Sequence, residues 1–439
     1  MLVLSLNILF LEIPHSNLHN IIKIPYYCVF FVGVAVLSER DVLAGVSVIH
    51  FVNDFNVVLF PALLPFLIEE FGLSLFEIGI FAATQTVATM LLQLITGHIS
   101  DKVGPRLVIF SGALLTAFAV LVLSSASSKI QLFFTVVLLG IALGFFHPSG
   151  YSFVSLVYDR DLAYKRDKAM GIQGSTGDIG SLVSFASTGF IAEFYDWRYP
   201  CFLSVILISV CVPLFLFLTR FSSGRDSLLP SDPDVMEPKV GIFYELKKLM
   251  PLLLPYFALF FLLGISWRIW MVFTPLYLVD LGFSKSVSDL VVAFFIGGGI
   301  IGAFSSGFLT TKFSRRKVLS TMFLITAPLA FLMFFSPLDL LAIFIVISFF
   351  AGICLFTVYP IIYSVSADIV KENRRGFSYA VIMVFGWSGG VFGLIIAGFF
   401  AEIFDIATVY LLVFVTVLAA SFLALSKAKI ELKHFSSPS

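Results

Sequence analysis

An all-α integral membrane protein, with twelve transmembrane helices arranged as two parallel six-helix repeats, is the fold this sequence predicts, and three observations carry the prediction. The 439 residues are 59% apolar and only 12% charged, with a mean hydropathy of +1.04, far from the balance of a water-soluble domain. Apolar runs long enough to cross a bilayer recur along the whole chain. The second half of the chain also rewrites the first at a nearly constant offset.

A helix crosses the hydrocarbon core in about 20 apolar residues at roughly 1.5 Å each. That ruler predicts six spans at 43–68, 76–98, 107–125, 131–157, 169–193 and 198–220, then six more at 249–279, 286–310, 318–336, 339–366, 376–402 and 407–426. Between the sixth and seventh lies SSGRDSLLPSDPDVMEPK, whose Ser, Pro and Asp content is that of a solvated linker. The expected organisation is an N-terminal bundle over 41–220, a linker over 221–247, a C-terminal bundle over 248–426 and a tail over 427–439. Residues 1–40 form an extension that does not fit. Its apolar run IPYYCVFFVGVAVL is short for a span, and an interfacial helix, a signal-like piece or a start site placed too far upstream are the alternatives.

Lys and Arg set the orientation. One side of the predicted bundle carries Arg40, Lys102, Arg106, Arg160, Lys165, Arg166, Lys168, Lys312, Arg315, Arg316, Lys317, Lys371, Arg374 and Arg375, with the basic residues of the linker and tail. The other carries only Lys129, Arg198 and Lys285. The positive-inside rule then places both termini and the linker in the cytoplasm of a multi-pass cell-membrane protein.

The repeat appears residue by residue. An offset of 210 places Pro65 on Pro275, Gly72 on Gly282, Ser74 on Ser284, Gly97 on Gly307, Lys102 on Lys312 and Arg106 on Arg316. An offset of 212 pairs HPSGYS at 147–152 with YPIIYS at 359–364, and one of 209 pairs AEFYD at 192–196 with AEIFD at 401–405. Parallel repeats imply a pseudo-two-fold axis along the membrane normal, a site between the halves near the midplane, and alternating access by rocking. Glycines recur in the fifth span (Gly171, Gly174, Gly177, Gly180) and the eleventh (Gly386, Gly389, Gly390, Gly393), where small residues let helices approach closely.

Several classes are excluded or weakened. Basic and acidic residues number 27 each, so no nucleic-acid partner is suggested. Cys28, Cys201, Cys211 and Cys354 stand singly in apolar runs, and the six histidines include no H-E-x-x-H, so neither a metal nor a cofactor is expected. No G-x-x-x-x-G-K-[ST] loop exists to hold a nucleotide.

In the loop after the second span, GHISDKVGPR (Gly97 to Arg106) resembles the major facilitator superfamily signature G-x-x-x-D-[RK]-x-G-[RK]-[RK], with Pro105 in place of one basic residue. The second copy, GFLTTKFSRR, keeps Gly307, Lys312 and Arg316 but has Thr311 for the acid and Ser314 for the glycine. The resemblance implies a transporter with a cytoplasmic gate formed by Gly97, Asp101, Lys102, Gly104 and Arg106, with its acidic latch in the first half alone. A solvated loop that only enforces orientation is the plainer alternative. H-x-x-N-D in the first span (His50, Asn53, Asp54) together with F-H-P in the fourth (Phe146, His147, Pro148) is similar to the fosmidomycin-resistance branch, implying a drug exporter that exchanges substrate for protons.

His50, Asn53 and Asp54 are spaced i, i+3, i+4 and share one helix face. Asp54 is 11 residues past Leu43, roughly 16 Å into the bilayer at about 1.5 Å per residue. A carboxylate at that depth faces a partner or a cavity and marks a proton or ion path; mutual satisfaction of His50 and Asp54 as structural glue is the alternative. His147 precedes Pro148, which removes a helical hydrogen bond and can bend the helix, and Asp178 among the fifth-span glycines is a further proton-coupling candidate. Candidate substrate contacts are Asn53, Arg268, Tyr359, Tyr363 and Trp387. Arg268 would hold an anionic substrate group or neutralise a carboxylate, or else snorkel outward beside Trp267 and Trp270. The expected function is proton-coupled efflux of a small organic molecule by a chain working as a monomer. An importer or uncoupled facilitator would need no titratable residue at the site, a receptor with this fold would show no turnover, and the acids and histidines form no recognisable catalytic set.

Overall fold

The computed structural model of the chain describes residues 39–158, 163–220, 240–335, 340–369 and 375–426. The side chains of Asp101 and of residues 163, 164, 166, 167, 240–252, 366–369 and 375–382 fall outside that description. The N-terminal extension, most of the linker and the tail likewise lie outside the described residues.

The helices of the first half are α1 (Glu39–Phe71), α2 (Leu75–Val103), α3 (Pro105–Ser124), α4 (Lys129–Leu143), α5 (Phe146–Val157), α6 (Ala163–Phe194) and α7 (Tyr199–Leu218). The second half supplies α8 (Val240–Asp280), α9 (Lys285–Lys312), α10 (Arg315–Phe334), α11 (Leu341–Ile369), α12 (Arg375–Ile403) and α13 (Thr408–Ser426). Counting α4 and α5 as one interrupted span, 11 helices are long and apolar enough to cross a membrane. The twelfth is α6, 32 residues long but diluted by Gly, Ser and Thr. It packs along α1 and α9, so its polar groups face protein.

Local chemistry sets the helix ends, and does so twice. Gly72 (φ 60°) and Gly282 (φ 92°) take the left-handed conformation that closes α1 and α8. Ser74 then caps α2 through the Glu77 amide with a reciprocal bond from Glu77, and Ser284 caps α9 through the Val287 amide. At the opposite face Gly104 (φ 89°) ends α2 and Pro105 begins α3.

The fourth span breaks at Gly144–Phe145, just before F-H-P. Pro148 has no N–H to give the Gly144 carbonyl, and the Thr96 hydroxyl of α2 donates to that oxygen instead at 2.8 Å. The break is thereby satisfied from a neighbouring helix.

Packing repeats with the sequence. A Cβ on Gly180 would run into the Phe51 carbonyl, and one on Gly389 into the equivalent Phe261 carbonyl. Gly140 likewise meets the Gln85 carbonyl, and Gly352 the equivalent Phe295 carbonyl. In the second half Trp270 is fully buried, stacks on Phe295 and donates its indole N–H to Ser348 at 3.3 Å. Large apolar side chains on the outside, such as Phe118, Phe134, Phe304 and Phe422, form the lipid-facing surface. Gly180→Leu and Gly389→Leu are each expected to destabilise the protein by about 1–3 kcal/mol or more through overpacking. Thermal unfolding of the purified protein measures this, and Gly171→Ala, with no described atom within 4 Å of the new methyl, should leave it unchanged.

The halves meet at the face poor in Lys and Arg. There the Glu402 carboxylate of α12 accepts from the Phe76 amide of α2 at 3.3 Å, and Glu193 of α6 accepts from the Ser286 amide of α9 at 2.8 Å. Lys285 also bonds Glu69 across the same face. Toward the basic face Gly171 and Gly174 of α6 have no described atom within 4 Å of a built Cβ. The bundle is closed at the Lys- and Arg-poor face.

Candidate functional site

One turn of α1 places His50 Nε2 3.2 Å from Asp54 Oδ2, while the Asn53 amide donates to Asp54 Oδ1 at 2.8 Å. The short α5 brings His147 Nε2 to 3.6 Å from the same Oδ1. Space for the pair comes from Gly177 of α6, where a Cβ would lie 2.5 Å from both Asp54 Oδ2 and His50 Nε2. The equivalent glycine in the second half, Gly386, instead admits the Phe260 ring at the position matching His50. The same backbone cradle therefore holds an acid–imidazole pair in one half and a phenyl ring in the other.

Hydrogen-bond accounting fixes the chemistry of the pair. His50 Nδ1 lies 2.6 Å from the Gln173 carbonyl, an acceptor only, so Nδ1 carries the hydrogen and donates it. His50 Nε2 and the Asp54 carboxylate then face each other across 3.2 Å, a spacing at which one proton, on the ring or on the acid, makes the contact a hydrogen bond. The carboxylate is only partly enclosed. The nitrogen and oxygen donors of His50, Asp54 and His147 lie within 4.8 Å of one another, a set of the atom types that bind transition metals. As placed, His50 and His147 both contact the Asp54 carboxylate.

The second half closes the other side. Tyr359 reaches Asp178 Oδ2 at 3.5 Å, so the fifth-span acid meets a hydroxyl of the opposite half. Trp387 stands edge-on to His147 with ring centroids 6.1 Å apart. The Arg268 guanidinium lies 5.3 Å from the Trp267 centroid and 5.4 Å from that of Trp387, with its stem fitted over Gly390. Arg268 is 6% exposed and has no carboxylate within ion-pair distance among the described residues, so it points into the protein and does not snorkel outward. Tyr363 packs against Phe260 and Tyr359 as a more distant part of the wall.

At the basic face Gly97 contacts Pro148 and Lys102 is exposed. Arg106 donates to the Thr219 hydroxyl at 3.0 Å and to the Leu216 carbonyl at 3.1 Å, fastening α3 to the end of α7. Arg316 repeats this with the Ala424 carbonyl at 2.9 Å. The Asp101 side chain lies outside the described residues.

Sequence reasoning missed three features. The Gln173 carbonyl that fixes His50 is a backbone atom and leaves no signal in residue type. Glu193 and Glu402 were visible as the repeated A-E-x-x-D, yet their bonds to the opposite half were not. Asp289, inside the span predicted at 286–310, was not singled out, and the structure buries it completely.

Twelve spans in two pseudo-symmetric halves, with titratable and cationic groups facing one another across the seam, define a membrane transporter. Residues 46–288 and 256–437 match the Major Facilitator Superfamily, and the chain belongs to that superfamily. It is similar to the fosmidomycin resistance protein of Escherichia coli (strain K12), 23% identical over 376 residues that cover 85% of this chain and 89% of that protein. It is also similar to the nitrite extrusion protein of Bacillus subtilis (strain 168), 24% identical over 83% of this chain and 88% of that one. Among solved structures, a bacterial homolog of the human lysosomal transporter Spinster, inward-facing and occupied, shares the fold with a TM-score of 0.69 at 15% identity, covering 88% of this chain and 96% of its own. A D-xylose–proton symporter does so at 0.70 and 13% identity, over 88% and 97%.

Proposed function

We propose that the protein is a proton-coupled exporter of a small organic molecule bearing an anionic group, working in the cell membrane with its basic face toward the cytoplasm. The observation that carries this reading is the partly enclosed His50–Asp54 pair, whose 3.2 Å contact suits it to share one proton. Asp54 is the proton carrier, with His50 as its direct partner and His147 and Asp178 as neighbours that tune it. Arg268, between Trp267 and Trp387, receives the anionic group, and Asn53, Tyr359, Tyr363 and Trp387 line the rest of the cavity. A buried guanidinium without a carboxylate partner is costly, and an anionic substrate relieves that cost.

In the cycle, substrate enters from the cytoplasm in the conformation open at the basic face. The halves rock, and external protons reload Asp54 as substrate leaves. Gly97, Asp101, Lys102, Gly104 and Arg106 act at the cytoplasmic gate, which closes when the outer contacts open. The Lys and Arg pattern supports placing both termini in the cytoplasm. The names of the related proteins, a drug resistance protein and a nitrite extrusion protein, support export.

The test is proton movement in proteoliposomes holding the purified protein, with fosmidomycin and nitrite as the first probes. Substrate-dependent dissipation of an imposed pH gradient is expected with a compound that is transported. Downhill flux of that compound with no accompanying proton movement would establish an uncoupled facilitator instead.

A further inference from the structure

Asp289 is 0% exposed, and neither carboxylate oxygen has a hydrogen-bond partner among the described residues. It lies on α9, in the second half, and is pressed against α6 of the first. A Cβ on Gly189 would sit 2.7 Å from Asp289 Oδ2. The repeat shows that the fold does not demand an acid here. The matching position on α2 is Gly79, which packs against the backbone of Gly398, the counterpart of Gly189, across the mirror-related seam.

The two seams are otherwise built alike. Glu193 at the end of α6 accepts from the first-turn Ser286 amide of α9, and Glu402 at the end of α12 accepts from the first-turn Phe76 amide of α2. Each half thus lays a carboxylate on the exposed amides of a helix in the other, where the helix dipole favours negative charge. A cavity of about 470 Å³, lined in part by Phe66, Glu69, Glu193, Phe283 and Lys285, opens beside the α6–α9 seam. It is open to solvent at the rim of the seam.

We propose that Asp289 is a second proton-binding site of this transporter, loaded from the outer side, and that the two halves close at the outer face only when it is occupied. The reading rests on the orientation given above. With the halves apart, the cavity water reaches Asp289 and the carboxylate ionises. Closure strips that water and offers no donor in its place, and an ionised carboxylate so placed is disfavoured by several kcal/mol. The surrounding charges do not compensate. Glu193 is the charged group that acts on Asp289, and it is of like sign. Lys285, on the same helix, is engaged with Glu69 of α1, Asp280 at the end of α8 is exposed, and α11 carries no charged residue from Leu341 to Ala367. Closing the outer face therefore takes up a proton from outside, and external acid favours the inward-facing state.

The experiment needs neither substrate nor gradient, so its outcome is independent of the transport test above. Spin labels are placed at exposed positions on the outer face of each half, Ser127→Cys and Leu340→Cys, in a protein whose native cysteines are replaced and which carries Asp54→Asn to silence the central site. The ratio of short to long distances is expected to fall as pH rises from about 5 to about 8, by at most about tenfold per pH unit, as linkage to one proton requires. Asp289→Asn should lock that ratio at its acidic value at every pH. Asp289→Gly, which restores the residue of the mirror seam, should do the same and serves if the amide fails to fold. Glu193→Gln should keep the pH response. A response that persists in Asp289→Asn, disappears in Glu193→Gln, or is missing from the Asp54→Asn protein overturns the proposal.

Discussion

Asp54→Asn is expected to abolish uphill, gradient-driven transport while leaving equilibrium counterflow within about threefold of the parent protein. The asymmetry follows from the geometry. An asparagine amide can donate to His50 Nε2 and its oxygen can still accept from Asn53, so the local packing survives. What disappears is the exchangeable proton. A residue that only held α1 against α6 would, when replaced, reduce folding or expression, or change nothing. Paired assays on reconstituted protein separate these outcomes: accumulation across an imposed pH gradient, and exchange of labelled for unlabelled substrate at equal pH. His147→Gln should shift the pH profile without eliminating turnover, because His147 sits at 3.6 Å from the carboxylate and adjusts its field without holding its proton. Full accumulation by Asp54→Asn would transfer the carrier role to Asp178.

Arg268→Gln should weaken substrate binding by about 30-fold or more, the range expected when one member of a buried charge pair is removed at roughly 2–5 kcal/mol. The guanidinium has two indoles around it and no carboxylate in ion-pair contact among the described residues, so a bound anion would be its principal partner. Arg268→Lys should recover part of the affinity, since charge is restored without the planar fork. Equilibrium binding of a transported compound, read through quenching of tryptophan fluorescence, gives the affinities. Unchanged affinity with lost coupling would instead mean that Arg268 acts on Asp54 and not on substrate.

Most of the architecture was legible in the sequence because lipid leaves few choices. Each predicted span corresponds to a helix, with one subdivision at F-H-P, and the offset of about 210 residues reappears as paired backbone contacts such as Gly180 on Phe51 and Gly389 on Phe261. The face of α1 bearing His50, Asn53 and Asp54 was readable from spacing alone. Its partners were not, because Gln173 contributes a carbonyl and Gly177 contributes empty space. Arg268 could be placed in a span but not aimed; its direction depends on Gly390, which is distant in sequence and clears the path of its stem. Asp289 was hidden for a related reason. It falls inside the span predicted at 286–310, and residue type alone gives no sign that Gly189 of the opposite half encloses it.

The claim that one proton and the substrate share the seam between the halves can be measured without a membrane. Purified protein in weakly buffered detergent solution, at a pH where Asp54 is loaded, is mixed with a transported compound in the presence of a pH-indicating dye. Exchange predicts the release of about one proton per protein molecule on binding, and no release from Asp54→Asn at the same saturation. Saturating binding with no proton release, or equal release from Asp54→Asn, would contradict it.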